Sequence, residues 1–257
     1  MIRLLKCELI KMRRRYVFLS LLAVTAAGLV FSLYGDYSGP GSGFTIKNGW
    51  LLFLYQLPLV NGIFFPIAAA VTASRLADAE HKGSAFKQLF AAEKRGRIYD
   101  AKLITGLVTM LLSVLIYWVV ILVFGIAVGF EGEPPMGLYL RYLACIAAPT
   151  AVIYFFQHGL SMLFKNQAAS FFAGVIGTFA GVFSMFLPQF PALRNSLPWG
   201  LYGAMQFIGL FGWTQETRYE FAYFEMMHTE PAAYAAAAVY AAVFYALGKY
   251  MFCRKEI

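Results

Sequence analysis

Six long apolar runs, nearly free of charge, decide what this chain can fold into. A bilayer core of about 30 Å takes about 20 helical residues at 1.5 Å each. Runs of that order lie at 16–34, 50–73, 103–130, 138–164, 168–190 and 231–251. Each predicts a transmembrane helix, because lipid leaves an isolated segment no other way to pair its backbone groups. Pro58, Pro66 and Pro149 fall inside these runs and predict kinks. Charged residues make up only 13% of the chain, against about 25% in an ordinary soluble domain. The expected fold is an all-α polytopic membrane protein, with residues 1–257 forming one membrane-spanning domain.

Orientation follows from the basic residues. Assigning the intervening segments alternately to two sides puts 17 of the 21 Lys and Arg on the side that holds both termini. With the acidic residues included, the two sides carry +11 and −3. Positive charge marks the cytoplasmic side, so both termini are expected there. The overall +8 is therefore a topological signal and not a sign of nucleic acid as partner. The run Leu197–Trp213 is also apolar, but a seventh crossing would carry Lys249, Arg254 and Lys255 outside. Its proline, glycines and tryptophans fit a re-entrant or interfacial segment before the sixth span. The basic amino terminus resembles a signal peptide, yet its apolar run through Tyr34 exceeds the 7–15 residues such regions use, which favours a retained span.

Several function classes are excluded. The longest inter-span segments, 74–102 and 191–230, contain 29 and 40 residues, too few for an independent soluble domain. Cys7, Cys145 and Cys253 lack the spacing of a thiolate metal site, and Glu80-His81 lacks the second histidine of a zinc-protease helix. Ionisable residues at depth would point to a proton relay or active site, and His158 is the one deep candidate. It reads as a packed or hydrogen-bonded histidine. No catalytic set and no metal site is expected. The nucleotide-cradling G-x-x-x-x-G-K-[ST] pattern is missing, so any ATP hydrolysis belongs to a partner.

Two elements on the termini side are expected to be helical. In the first, Ile2, Leu5, Leu9 and Met12 recur at 3- and 4-residue steps, predicting an apolar face for a helix lying flat on the membrane. Glu8 and Lys11 read as a modest surface pair. Anchoring on anionic lipid explains this element as well as an elbow does. The second, residues 74–102, is interrupted at Gly83 and Gly96, predicting short helices joined by turns. Phe86, Leu89 and Phe90 form a stripe that suits either the inner ends of the spans or a protein partner. Ala173, Gly177 and Gly181, Gly125 and Gly129, and Ala238, Ala242 and Ala246 follow small-x-x-x-small spacing, serving contact within one chain or between two.

Three motifs make the chain recognisable: L-x-x-E-L-x-K-x-R-R at Leu5–Arg14, E-x-K-G-S-x-F-K-Q-L at Glu80–Leu89 and Y-x-A-K-L at Tyr99–Leu103. Together with six spans they resemble the permeases of type-two ATP-binding-cassette exporters. With Leu-Pro-Trp-Gly at Leu197–Gly200, the chain is most similar to the small permeases that protect bacteria from lantibiotics and related antimicrobial peptides. The resemblance implies an elbow helix containing Leu5, Glu8, Leu9 and Lys11. It also implies a coupling helix between spans 2 and 3, docking a separate ATP-binding subunit through Glu80, Gly83, Phe86, Lys87, Leu89 and Phe90. That subunit would hold ATP and Mg, and this chain would be a transport subunit of the bacterial plasma membrane paired with a second copy or a sister permease. A non-transporting scaffold or sensor, binding a partner through 74–102, is the competing expectation.

Overall fold

The computed structural model describes residues 1–35, 37, 42–82, 85–187, 189–215, 220–228 and 231–255. Among the described residues, five helices are long and apolar enough to cross a membrane: α3 (Ser42–His81), α5 (Arg95–Val128), α6 (Met136–Leu163), α7 (Gln167–Met185) and α10 (Pro231–Arg254). α1 (Ile2–Arg14) and α2 (Val17–Leu33) meet at a 65° bend and bring the candidate crossings to six if the pair is counted as one span. Tyr16 makes that bend with φ 54°, a left-handed conformation uncommon outside glycine. The chain is thus a multi-pass, almost wholly helical membrane protein.

The helices outrun the apolar runs that announce them. With 40 residues α3 extends about 60 Å, roughly twice the hydrocarbon thickness, and α5 with 34 residues extends about 50 Å. Both project beyond the bilayer at the end holding the termini. Residues 74–102 are therefore mostly rod, with a single eight-residue helix, α4 (Ala85–Ala92), between the two projections. The break expected at Gly96 does not occur. That glycine sits in the first turn of α5, where amide groups have no intrahelical partner in any case. Gly83 lies outside the described residues. Pro58, Pro66 and Pro149 lie within α3 and α6, each of which continues past its proline as one helix.

α3 is the axis of the bundle and touches α2, α5, α6 and α7, while α10 lies along α6. The α6–α10 approach is close because Gly159 and Gly248 face each other. Val108, Leu112, Val119 and Val123 of α5, and Phe172, Ile176, Phe179 and Phe183 of α7, point outward. In water such surfaces would be aggregation-prone; in lipid they are the solvated face.

After α7 the chain forms α8 (Pro191–Ser196), a 3-10 turn (Pro198–Gly200), α9 (Leu201–Ala204) and an antiparallel hairpin of β1 (Ile208–Phe211) and β2 (Tyr223–Met226). Leu197–Trp213 is thus no continuous helix. Its Trp199, Leu201, Tyr202 and Met205 are buried against α3, α6 and α7, at the end of the bundle opposite the termini. Gly177 and Gly181 of α7 provide the seat for Trp199, so this small-residue run packs within the chain. Gly125 likewise receives Trp50. Ala238, Ala242 and Ala246 differ, lying exposed along α10.

Candidate functional site at the charged end of the bundle

α4 turns its apolar stripe inward. Phe86 is 3% exposed, with ring centroids 4.9 Å from His81, 5.6 Å from Phe90 and 5.7 Å from Phe252. Phe90 meets Phe252 edge-on at 5.6 Å, and Leu89 is half-buried against the same core. Two cations cover this aromatic cluster: the Arg95 guanidinium lies 4.7 Å from the Phe90 ring, and the Lys255 ammonium 5.5 Å from Phe86. The outward face of α4 consists of Lys87, Gln88, Ala91 and Ala92, flanked by exposed Lys82, Lys94 and Arg97. Of the described residues expected to dock a partner, Lys87 is the one on this open face.

The ends of three helices are tied together beside α4. Arg95 Nη1 donates to Cys253 O and Lys255 O, both at 2.9 Å, at the close of α10. Lys255 Nζ donates to Met162 O at 3.1 Å and Leu163 O at 2.9 Å, capping α6. A cation there satisfies orphan carbonyls and complements the negative pole of the helix. His81 Nε2 donates to Ser161 O at 3.0 Å; burial, reinforced by Lys255, holds its imidazole below the ordinary pKa, which suits the neutral ring.

Glu80 sits elsewhere than a docking surface. It is 4% exposed and belongs to a buried ion cluster with Glu8 of α1 and Lys102 of α5, themselves 4% and 0% exposed. Lys102 Nζ donates to Glu8 Oε2 at 2.7 Å, Glu80 Oε1 at 2.9 Å and Leu76 O at 3.3 Å, which uses all three of its protons. Lys11 Nζ completes the set, donating to Glu8 Oε1 at 2.8 Å and Glu80 Oε1 at 2.7 Å. Two carboxylates and two ammoniums cancel, which is the condition for burying any of them. Burial by itself would raise the Glu80 carboxyl, but Lys102 and Lys11 outweigh it and hold the pKa below the ordinary 4.5. Desolvation opposes the charge on Lys11 as well, and its bonds to Glu8 and Glu80 raise its pKa above 10.5.

This cluster corrects one expectation. The inward side of α1 is formed by Leu5, Glu8 and Met12, while Ile2 and Leu9 are exposed. The helix is rolled so that Glu8 reaches Lys102, 94 residues away in sequence. The Glu8–Lys11 pair is thus part of a buried network and not a surface ornament. Lys102, outside the expected site residues, shares an inward helical stripe with Tyr99, Thr105, Thr109 and Ser113. A polar stripe continuing from a lysine into an apolar span is the signal that marks it.

Deeper in the bundle, His158 packs against Tyr99 at 4.7 Å and Tyr154 at 5.9 Å, as a packed histidine. Its two ring nitrogens and both tyrosine hydroxyls make no hydrogen bond among the described residues. Two internal voids flank Asn61, each about 10 Å³ and so room for about one water. At the end away from the termini, Glu131, Glu133, Glu220 and Glu225 are exposed; Glu216 and Glu230 lie outside the described residues. This end carries acid, the other carries base, and the rods of α3 and α5 connect them.

A search of curated proteins finds no match to the chain. Residues 4–181, well over half of its length and including α1, the ion cluster and α4, match the family model of the ABC-2 family transporter protein. That membership makes the chain the transmembrane subunit of an ATP-binding-cassette transporter, with ATP hydrolysis on a partner protein. The chain belongs to the ABC-2 family of transporter permeases.

Proposed function

We propose that this permease expels an amphipathic or peptide antimicrobial from a bacterial plasma membrane, driven by a separate ATP-binding subunit that docks on the open face of α4. One observation carries the docking assignment. α4 has its aromatic face locked into the bundle and presents Lys87, Gln88 and Ala91 outward, at the tip of two projecting rods. Closure of two ATP-binding subunits, with ATP and Mg, would draw such helices together and tilt α3 and α5. Only a difference in contacts between the ATP-bound and free states can drive that shift.

The strong positive bias of the termini end supports a cytoplasmic location for both termini. A paired permease, a second copy or a sister chain, accords with the two voids beside Asn61, neither of which is large enough to admit a peptide. The exposed Ala238, Ala242 and Ala246 stripe would let a helix of a second permease approach closely. The peptide substrate class rests on similarity to lantibiotic-immunity permeases and on exposed Glu220 and Glu225, which would attract a cationic ligand.

Reconstitution with the ATP-binding subunit tests the reading. Ala91→Trp and Lys87→Glu should abolish co-purification and ligand-stimulated hydrolysis while leaving the permease as stable as before. Retention of both activities in both variants would refute the docking face. Binding without ligand-stimulated hydrolysis in the parent protein would favour a scaffold.

A further inference from the structure

The bend between α1 and α2 opens a cleft of about 730 Å³, lined by Ile10, Arg13, Arg14, Tyr16, Phe18, Leu19 and Leu22. The lining is amphiphilic along its length. Arg13 and Arg14, exposed in the last turn of α1, stand at the mouth, and neither is paired with a carboxylate among the described residues. Below them, Phe18, Leu19 and Leu22 are 39%, 63% and 47% exposed on the first turns of α2, where the hydrocarbon begins. Tyr16 lies between the two zones, at the depth where aromatic rings with a polar tip collect.

We propose that this cleft is a binding site for one anionic phospholipid, held by its phosphate on Arg13 and Arg14 and by an acyl chain along Phe18, Leu19 and Leu22. Guanidinium groups match phosphate oxygens with paired hydrogen bonds, which makes them more than a diffuse positive field. The apolar wall requires an attached chain, so free phosphate lacks half of the recognition. A second copy of this chain is a poor occupant. Centred on a two-fold axis, the cleft would bring four guanidinium groups together without a counter-charge.

Charge-matched variants separate a built site from general attraction to an acidic leaflet. Arg3 and Lys6 are exposed on the same helix but do not line the cleft. The purified full-length chain in neutral detergent would be titrated with dioleoyl phosphatidylglycerol, dioleoyl phosphatidylcholine and inorganic phosphate, reading bound lipid by native mass spectrometry. The parent should retain one phosphatidylglycerol in preference to phosphatidylcholine, and inorganic phosphate should not displace it. Arg13→Gln with Arg14→Gln should weaken retention about thirtyfold, taking about 1 kcal/mol per basic residue and tenfold per 1.4 kcal/mol. Arg3→Gln with Lys6→Gln should change it less than threefold. Leu19→Gln, which keeps both arginines, should also weaken it. Equal losses in the two double variants, equal retention of both lipids, or displacement by inorganic phosphate would overturn the proposal. So would a disulfide between two copies bearing Leu19→Cys, because it would place a protein in the cleft.

Discussion

Replacing Lys102 by methionine should be among the most damaging single changes available to this fold, although the side chain is removed from neither a substrate nor an outer surface. Methionine keeps most of the volume and the unbranched stem, so the packing loss is small. What disappears is the ammonium that donates at 2.7 and 2.9 Å to Glu8 and Glu80. Lys11 alone then faces two carboxylates that are each 4% exposed, and one negative charge remains uncompensated. Removing one member of such a buried pair costs about 3–5 kcal/mol. That is on the order of 10 °C in unfolding temperature for a chain of this size. The companion variant Lys102→Met with Glu8→Gln restores neutrality, leaving Lys11 with Glu80. It should recover at least about 1 kcal/mol of the loss, a coupling that independent sites would not show. Thermal unfolding in detergent, followed by tryptophan fluorescence, measures both. If Lys102→Met unfolds within about 0.5 kcal/mol of the parent, or the two changes simply add, the cluster does not hold α1 to α3 and α5 as argued.

Other outcomes follow from the same geometry. The Glu80 carboxyl has its folded-state pKa lowered, so its stabilisation is complete above the unfolded value of 4.5 and is lost as pH falls through the folded one. Unfolding temperature in detergent should therefore drop below about pH 4.5, and Glu80→Gln should flatten that limb. Trp199→Ala should cost about 3–5 kcal/mol by emptying the seat on Gly177 and Gly181, measured by the same unfolding assay. Asp100→Asn, by contrast, breaks a 2.7 Å pair with a one-third-exposed Lys249 and should cost no more than about 1 kcal/mol.

The spans were legible because lipid imposes a length and a polarity on every crossing, and 50–73 or 103–130 could satisfy it only as helix. The same filter is blind where a helix leaves the bilayer. Arg75 to His81 and Arg95 to Lys102 are polar enough to read as loop, yet α3 and α5 continue through them. The apolar stripe of α4 was visible from spacing, but spacing cannot say that Phe252, more than 160 residues later, covers Phe86. The burial of Glu8 is invisible to spacing for the same reason: its partner Lys102 is remote in sequence. Contacts that close over long separations are set by the assembled bundle, and local periodicity holds no record of them.

The uninterrupted length of α3 gives the molecule a mechanical ratio. At one extremity it carries Glu80 and His81 beside the outward tip, and near the other Phe44 rests 6.0 Å from Phe224 in the hairpin. A helix of roughly 60 Å that turns as a unit by about 5° about one end sweeps the other through about 5 Å, comparable to the width of a lipid chain. Were a pull applied at the α4 end, as proposed, leverage of this kind would return it as a displacement at the other surface of the membrane without any residue along the way unwinding.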